Sequence, residues 1–279
     1  MKNFEQISNW YNEFAATYTS EQRKSWYSEV ADAYNKARPR YSKELINRAV
    51  ELAQLPKYAI ILELGCGPGT ATTSFAEMGF SLVCIEPSQE ASLLAKHNCA
   101  SYPTVEIQNT SFEEWSLETD RFNAILAATS WHWMPPEIKY TKAKAALKAN
   151  GSLILLWNMT PQLPYEVYQA LDNEVYQIHT PSLARYENRE AQQEILREVG
   201  QNIIDSEKFK NLVSEQLVCE VTYSIDDYLM LLSTFSHYRV LETQKQGTLF
   251  NGLREVLERH CGGSIPVSYL SAFHVAQKI

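Results

Sequence analysis

The chain has 279 residues, 45% of them apolar, with 16 Tyr, 10 Phe and 6 Trp, enough side-chain volume for the core of one α/β unit carrying additions. Its formal net charge of −8 argues against a nucleic-acid surface, and no run of about 18 apolar residues offers a membrane span. Five scattered cysteines without a Cys-x-x-Cys pair speak against a structural metal site and for a reducing compartment.

In chain order, residues 1–56 read as an N-terminal helical lid segment. Trp10-Tyr11-Asn12-Glu13-Phe14-Ala15-Ala16-Thr17-Tyr18 is echoed by Trp26-Tyr27-Ser28-Glu29-Val30-Ala31-Asp32-Ala33-Tyr34 at Trp-Tyr-x-Glu-x-Ala-x-x-Tyr. The opening Met1-Lys2-Asn3-Phe4-Glu5-Gln6 lacks the apolar stretch of a secretion signal, so a cytoplasmic location is expected. Arg23, Lys24, Lys36, Arg38, Arg40, Lys43 and Arg48 outnumber Glu29, Asp32 and Glu44. That basic segment in an acidic chain is either a solvated helix face or a rim over a site for an anion.

Residues 57–159 alternate. Strands are expected at 58–64, 80–85, 104–108, 122–128 and 152–157, with helices at 70–78, 89–97 and 137–149 between them. The pattern predicts a doubly wound, mostly parallel sheet with right-handed crossovers. In such sheets ligands bind at the carboxyl ends of the strands, and Gly65, Glu86, Asn109 and Thr129 all fall at such ends. Residues 160–215 read as a helical insertion punctuated by Pro161, Pro164 and Pro181. Residues 216–279 read as a C-terminal part completing the sheet edge and cap, with strands at 217–223 and 272–279, helices at 226–233 and 240–260, and a turn at 262–266. The two late strands are expected to pair antiparallel at the edge of a seven-stranded sheet.

The segment with the most chemical content is Ile60-Ile61-Leu62-Glu63-Leu64-Gly65-Cys66-Gly67-Pro68-Gly69-Thr70. A buried strand ends in a tight turn that opens a helix, and Gly65, Gly67 and Gly69 remove Cβ atoms where a ligand must lie against the backbone. A dinucleotide fingerprint would place its third glycine one residue later. Glu63 adds a carboxylate beside the loop, suited to a cation rather than to phosphates. Glu86, 21 positions beyond Gly65, stands near the spacing expected of a ribose-binding acid; a charged acceptor there is worth about 1.5–3 kcal/mol. Just past the fourth strand, Trp131-His132-Trp133 places three large rings at a strand end, either as packing or as part of a site.

These pieces resemble a class I S-adenosylmethionine-dependent methyltransferase, and within that class the trans-aconitate methyltransferase-like group of small-molecule enzymes. The resemblance rests on Glu63-Leu64-Gly65-Cys66-Gly67-Pro68-Gly69-Thr70, Ile85-Glu86-Pro87-Ser88, Thr110-Ser111-Phe112-Glu113-Glu114-Trp115, Ala127-Ala128-Thr129-Ser130-Trp131-His132-Trp133 and Leu147-Lys148-Ala149-Asn150-Gly151-Ser152-Leu153. Upstream it includes Tyr34-Asn35-Lys36-Ala37-Arg38-Pro39-Arg40-Tyr41, and the tail piece Leu231-Leu232-Ser233-Thr234-Phe235-Ser236-His237-Tyr238 extends it weakly. It implies a Rossmann-like methyltransferase fold, S-adenosyl-L-methionine as cofactor, and residues 57–159 as its binding core. The implied donor contacts are Tyr34, Arg38, Glu63, Gly65, Cys66, Gly67, Gly69, Glu86, Pro87, Asn109, Ser111, Phe112, Ala128, Thr129 and Trp131. Arg38 would pair with the donor's carboxylate, and Ser111 and Phe112 would flank its adenine.

The acceptor is expected to be a small molecule, with no nucleic-acid or membrane partner, bound by a monomer or homodimer. Trp131 and His132 are the candidate catalytic residues, and His237, Tyr238 and Arg239 are candidate substrate contacts from the tail. A carboxylate acceptor is already ionised near neutral pH and needs placement rather than a base; no second acid or lysine near Trp131-His132-Trp133 suggests proton abstraction. A phenolic acceptor would use His132 as base. A non-catalytic S-adenosylmethionine-binding protein would keep the glycine loop and Glu86 without an acceptor pocket.

Overall fold

The computed structural model describes residues 20–279; the first copy of the echo, at 10–18, lies outside the described residues. Seven strands, β1 (Ile60–Leu64), β2 (Ser81–Ile85), β3 (Val105–Gln108), β4 (Phe122–Ala128), β5 (Leu147–Asn158), β6 (Phe209–Ser224) and β7 (Ser264–Lys278), form one sheet in the order β3-β2-β1-β4-β5-β7-β6. The first five pair in parallel. Strand β7 runs antiparallel to β5, and β6 pairs antiparallel with β7 at the edge. This is the doubly wound sheet that the alternation predicts.

The parallel strands are apolar on both faces because both faces are covered. Leu62, Leu64, Val83, Ile85 and Ile125 enter one core, while Ile61, Leu82, Cys84 and Leu126 enter the other. The order reverses between β1 and β4, and the site opens there, at the strands' carboxyl ends. Helices α1 (Ser20–Glu29), α2 (Ala31–Ala37) and α3 (Lys43–Leu52) precede the sheet. Ser42 caps α3 by accepting the N–H of Leu45. Helix α4 (Thr72–Glu77) follows the glycine loop, and α5 (Gln89–Asn98) is capped by Ser88, which accepts the N–H of Ala91. Helix α6 (Pro136–Ala146) opens with a proline, whose missing N–H costs nothing at that position.

Several boundaries differ from the sequence reading. Helix α6 stops at Ala146, because 147–151 already belong to β5: Leu147 pairs with Phe122 and Ser152 with Ala124, and the residues between bulge out with Asn150 at φ +62°. Asn150-Gly151 is therefore a bulge within a strand rather than a turn before one. The helical insertion ends earlier than 215. It comprises α7 (Tyr165–Leu171, continuing through a wider turn at Asp172–Tyr176 to Gln177–His179) and α8 (Arg189–Asp205), and β6 starts at Phe209. Strands β6 and β7 are both longer than expected because they hold each other: pairs run from Phe209 with Lys278 to Ser224 with Ser264. Pro266, expected in a turn, is a strand residue opposite Thr222, beyond the last pair of β5 with β7, where a missing N–H costs no bond on the β5 side. The turn is confined to Gly262 and Gly263, at φ +58° and +99°.

Between β6 and β7 lie α9 (Ile225–Ser233), α10 (Ser236–Arg239) and α11 (Thr243–Cys261). With α7 they bury a third core around Leu171, Val175, Leu231, Leu249, Leu253 and Leu257. This helical cap sits apart from the two cores of the sheet. No helix among the described residues is long and apolar enough to cross a membrane.

Candidate active site

The glycine loop leaves β1 with the N–H groups of Gly65 and Cys66 both bonded to the carbonyl of Ile85, at 2.8 and 3.2 Å. Gly65 and Gly67 lie at φ +64° and +56°, which L side chains rarely adopt. A Cβ on Gly65 would stand 2.9 Å from the Ser130 Cβ, and one on Gly67 would stand 2.7 Å from the Tyr27 hydroxyl. The glycines are required both by the turn and by what lies across it. Ser130 in turn donates to the carbonyl of Leu64, tying the end of β4 to the loop.

Glu86 ends β2 as a buried acid. Its two oxygens accept the N–H of Ser88 at 2.8 Å and of Gly67 at 2.9 Å, so the side chain joins the β2 end to the glycine loop. Burial pushes its carboxyl up to about 7, against those two bonds, which favour the charged form. Each oxygen keeps a further lone pair for a ligand. Asn109 donates to the carbonyls of Glu86 and Pro87 and so shapes the turn.

Glu63 does not face the cavity. The strand alternation turns it to the other side, where it accepts from the Thr72 hydroxyl at 2.6 Å and from the Cys84 thiol. Burial raises it too, to about 7. The expectation of a cation-attracting carboxylate beside the loop gives way to an acid that anchors the start of α4.

One cavity of about 440 Å³ gathers most of the candidates, within the roughly 300–1,000 Å³ of small-molecule sites. Tyr34, Arg38, Gly65, Cys66, Gly67, Glu86, Pro87, Ser111, Phe112, Ala128, Thr129, Trp131 and His132 all line it; Glu63, Gly69 and Asn109 do not. Phe112 is both wall and core, stacked on Trp115 with centroids 6.3 Å apart. The amino group of Lys142 holds that loop by donating to the carbonyls of Phe112, Glu113 and Trp115. Thr129 takes φ +54°, and its hydroxyl meets that of Tyr41 at 2.6 Å. Arg38 is held on Thr234, whose hydroxyl accepts from Nε at 2.8 Å and whose carbonyl accepts from Nη2 at 3.2 Å. It also lies 3.9 Å from the ring centroid of Phe235. The expected donor contact is thus, in this structure, a tie between α2 and the cap.

Trp131–Trp133 forms a short 3₁₀ turn. Its buried ring is Trp131, edge-on to Tyr140 of α6 at 5.4 Å. His132 packs against Trp133 and Trp157, at 4.8 and 5.9 Å. The sequence reading found no lysine at this turn, but the structure brings the Lys139 amino group to 5.5 Å from the Trp131 ring centroid. Burial lowers it to about 8. Helix α6 returns over the turn, and a three-dimensional approach of this kind leaves no mark on local spacing.

The far half of the cavity comes from the insertion and the cap. Arg185, Glu187, Tyr176, Tyr238 and His237 line it. Tyr176 and Tyr238 join hydroxyls at 2.6 Å. His237 stacks on Phe235. Burial, with the charges of Arg185 and Arg38, pushes it down to about 3, so it is neutral. Arg239, expected as a substrate contact, lines the wall while pairing with Glu29 of α1. Sequence reasoning missed Arg185 and Glu187, which stand in an irregular segment between elements and carry no periodic signal.

A Rossmann-like sheet with a glycine turn at β1 and an acid just past the end of β2 is the arrangement that the resemblance to class I methyltransferases implies. Residues 61–151, about a third of the chain, match the family model described as a methyltransferase domain. An uncharacterized methyltransferase of Mycobacterium tuberculosis is 32% identical over 126 residues, 45% of this chain and 49% of that protein. An uncharacterized methyltransferase of Schizosaccharomyces pombe is 22% identical over 226 residues, 81% of this chain and 84% of that one. The match thus spans about half the length of the mycobacterial relative and most of the yeast one. Among solved structures, one from Anaeromyxobacter dehalogenans, provisionally called a type II methyltransferase, superposes with a TM-score of 0.60 at 18% identity, covering 86% of this chain and 97% of that one. That likeness is one of fold.

Proposed function

We propose that the chain is an S-adenosylmethionine-dependent methyltransferase acting on a small molecule that bears a carboxylate, and that the product is its methyl ester. The observation that carries this reading is the single cavity, which joins the glycine loop and Glu86 at one end to an aromatic and cationic chamber at the other. A non-catalytic binder would have no use for the second half.

The residues present fit the donor. Glu86 offers a carboxylate for two ribose hydroxyls, and Gly65 and Gly67 leave the floor without Cβ atoms. Tyr27 and Tyr34 roof that half, their rings 5.1 Å apart. When bound, S-adenosylmethionine supplies a methyl group activated on a sulfonium. The chain's own part is placement: Trp131 and His132 line the cavity past the end of β4, and aligned approach can contribute up to roughly 7–11 kcal/mol. Arg38, whose charge reaches His237, favours an anionic acceptor. A second reading, methylation of a phenolic or other protonated oxygen, is favoured by Lys139, whose lowered pKa would let it share with His132 the role of base.

Calorimetry with S-adenosylhomocysteine tests the donor half. Binding is expected, weakened about 10–100-fold in Glu86→Ala. No binding, or no loss in the variant, would overturn the reading. A labelled-donor assay over small carboxylic acids and phenols then separates the two acceptor classes.

A further inference from the structure

Helix α6 carries Lys139 and Lys142, and the structure uses them differently. Lys142 serves the fold: its amino group donates to the carbonyls of Phe112, Glu113 and Trp115, at 2.6, 3.1 and 2.6 Å. Lys139 is half-buried and lines the cavity. Its amino group stands 5.5 Å from the ring centroid of Trp131 and 5.4 Å from that of Tyr140. No hydrogen bond or ion pair holds it among the described residues. The two rings attract the ammonium, but a ring face replaces none of the acceptors that its three N–H groups have in water.

The other cations of the cavity wall are engaged or lie elsewhere. Arg38 donates to Thr234, Arg239 pairs with Glu29, and Arg185 lies 4.0 Å from the Glu187 carboxylate. Lys24 belongs to α1, where its charge acts on Glu90 of α5. Lys139 instead stands beside Trp131, next to His132, with its donors unused. The titratable and charged groups around this stretch of wall are Glu137, Tyr140 and Lys142 on α6, His132 on the turn, Glu113 on the loop after β3, and Glu198 and Asp205 on α8. Of these Glu137 bears on Lys139, favouring the ammonium, while burial opposes it and brings it to about 8.

We propose that the Lys139 ammonium binds the carboxylate of the methyl acceptor by donating to one of its oxygens. This rests on the methyl-transfer reading above and names the residue that holds the acceptor. An anion gives the ammonium the charge-assisted bond that the chain withholds from it. A neutral amide or ester of the same acid gives far less, so the site selects the acid. The methyl ester has lost the charge, and the group that holds substrate therefore does not hold product.

The test uses the full chain saturated with S-adenosylhomocysteine and titrated by calorimetry with benzoate, 3-phenylpropionate and octanoate, each beside its amide and its methyl ester. At pH 7 at least one acid is expected to bind about 10–100-fold more tightly than its neutral partners. That margin should shrink about tenfold from pH 7 to 9.5, because the acids stay ionised while Lys139, titrating near 8, loses its proton. Lys139→Met should remove the margin at pH 7, and Lys139→Arg should keep it level to pH 9.5. Equal binding within all three sets, no binding of any acid at millimolar concentration, or a margin that stays level to pH 9.5 in the unaltered chain overturns the proposal without recourse to a variant. Failure of the unaltered chain to bind S-adenosylhomocysteine would instead overturn the methyl-transfer reading, so the two failures are told apart.

Discussion

The two halves of the cavity are built in different ways. The half next to the glycine loop is made at the ends of β1, β2 and β4, which strand pairing fixes side by side: Gly65 and Cys66 bond Ile85, and Gly67 bonds Glu86. The acceptor half is made by distant segments, Trp131 and His132 from the turn after β4, Arg185 and Glu187 from the insertion, and His237 and Tyr238 from the cap. Backbone geometry dictates the first, and side-chain packing between remote helices dictates the second. The lesson is that one half accepts almost no substitution, whereas the other can change its lining without disturbing the sheet.

If that contrast is right, the largest effect should follow from Gly67→Val. The positive φ and the 2.7 Å approach of Tyr27 to a Cβ predict a loss of S-adenosylhomocysteine affinity above about 100-fold, measured by calorimetry, with the fold retained by circular dichroism. An affinity within threefold of the original would break the comparison at its firmest point.

A tenfold effect is expected from pH. Glu86 titrates near 7 in the free protein. It accepts ribose hydroxyls best when ionised, so affinity for S-adenosylhomocysteine should rise about tenfold from pH 6 to pH 8. The sign in the free protein is the opposite. An acid raised above its unfolded value favours the protonated folded form, so Glu63 and Glu86 together should make the unliganded chain less stable as pH climbs from about 4.5 to 7. Thermal melts with and without ligand across that window check both slopes. Ligand affinity flat across pH 6 to 8 would remove Glu86 from the donor's ribose.

The smallest effect belongs to the acceptor half. With a carboxylate acceptor and saturating donor, His132→Ala should lower kcat only a few-fold, and the rate should stay flat from about pH 6 to 8. A rate that rises through this range and collapses in the variant would sharpen the contrast in another direction, by giving the far half a base. A rise that survives in His132→Ala but disappears in Lys139→Met would assign that base to Lys139.

The same division explains what could be read from the sequence. The glycine turn, the acid at 86 and the alternation of strands and helices are legible because backbone demands leave local signatures: apolar runs, glycines at fixed offsets, Ser88 ahead of α5. The reach of β6 and β7 is not, since 209–216 become strand by pairing with 272–278, and 264–271 by pairing with 217–224. Glu63 was misplaced because its spacing marks it as near the loop while its side of the strand is decided by the pleat. The placing of Arg185 and Glu187 depends on contacts between segments far apart in the chain, and the approach of Lys139 to Trp131 depends on how α6 folds back over the turn before it. For those, no short-range pattern exists to be read.

The long pairing of β6 with β7 has a mechanical side. Strand β5 accompanies β7 over 271–277, Met159 and Gln162 continue that side as far as Leu270 and Ser268, and only the remaining residues of β7, back to Ser264, pair with β6 alone. The helical cap is joined to the sheet at that two-stranded end. Ribbons of two strands twist further than strands flanked on both sides, and they bend more easily for the same reason.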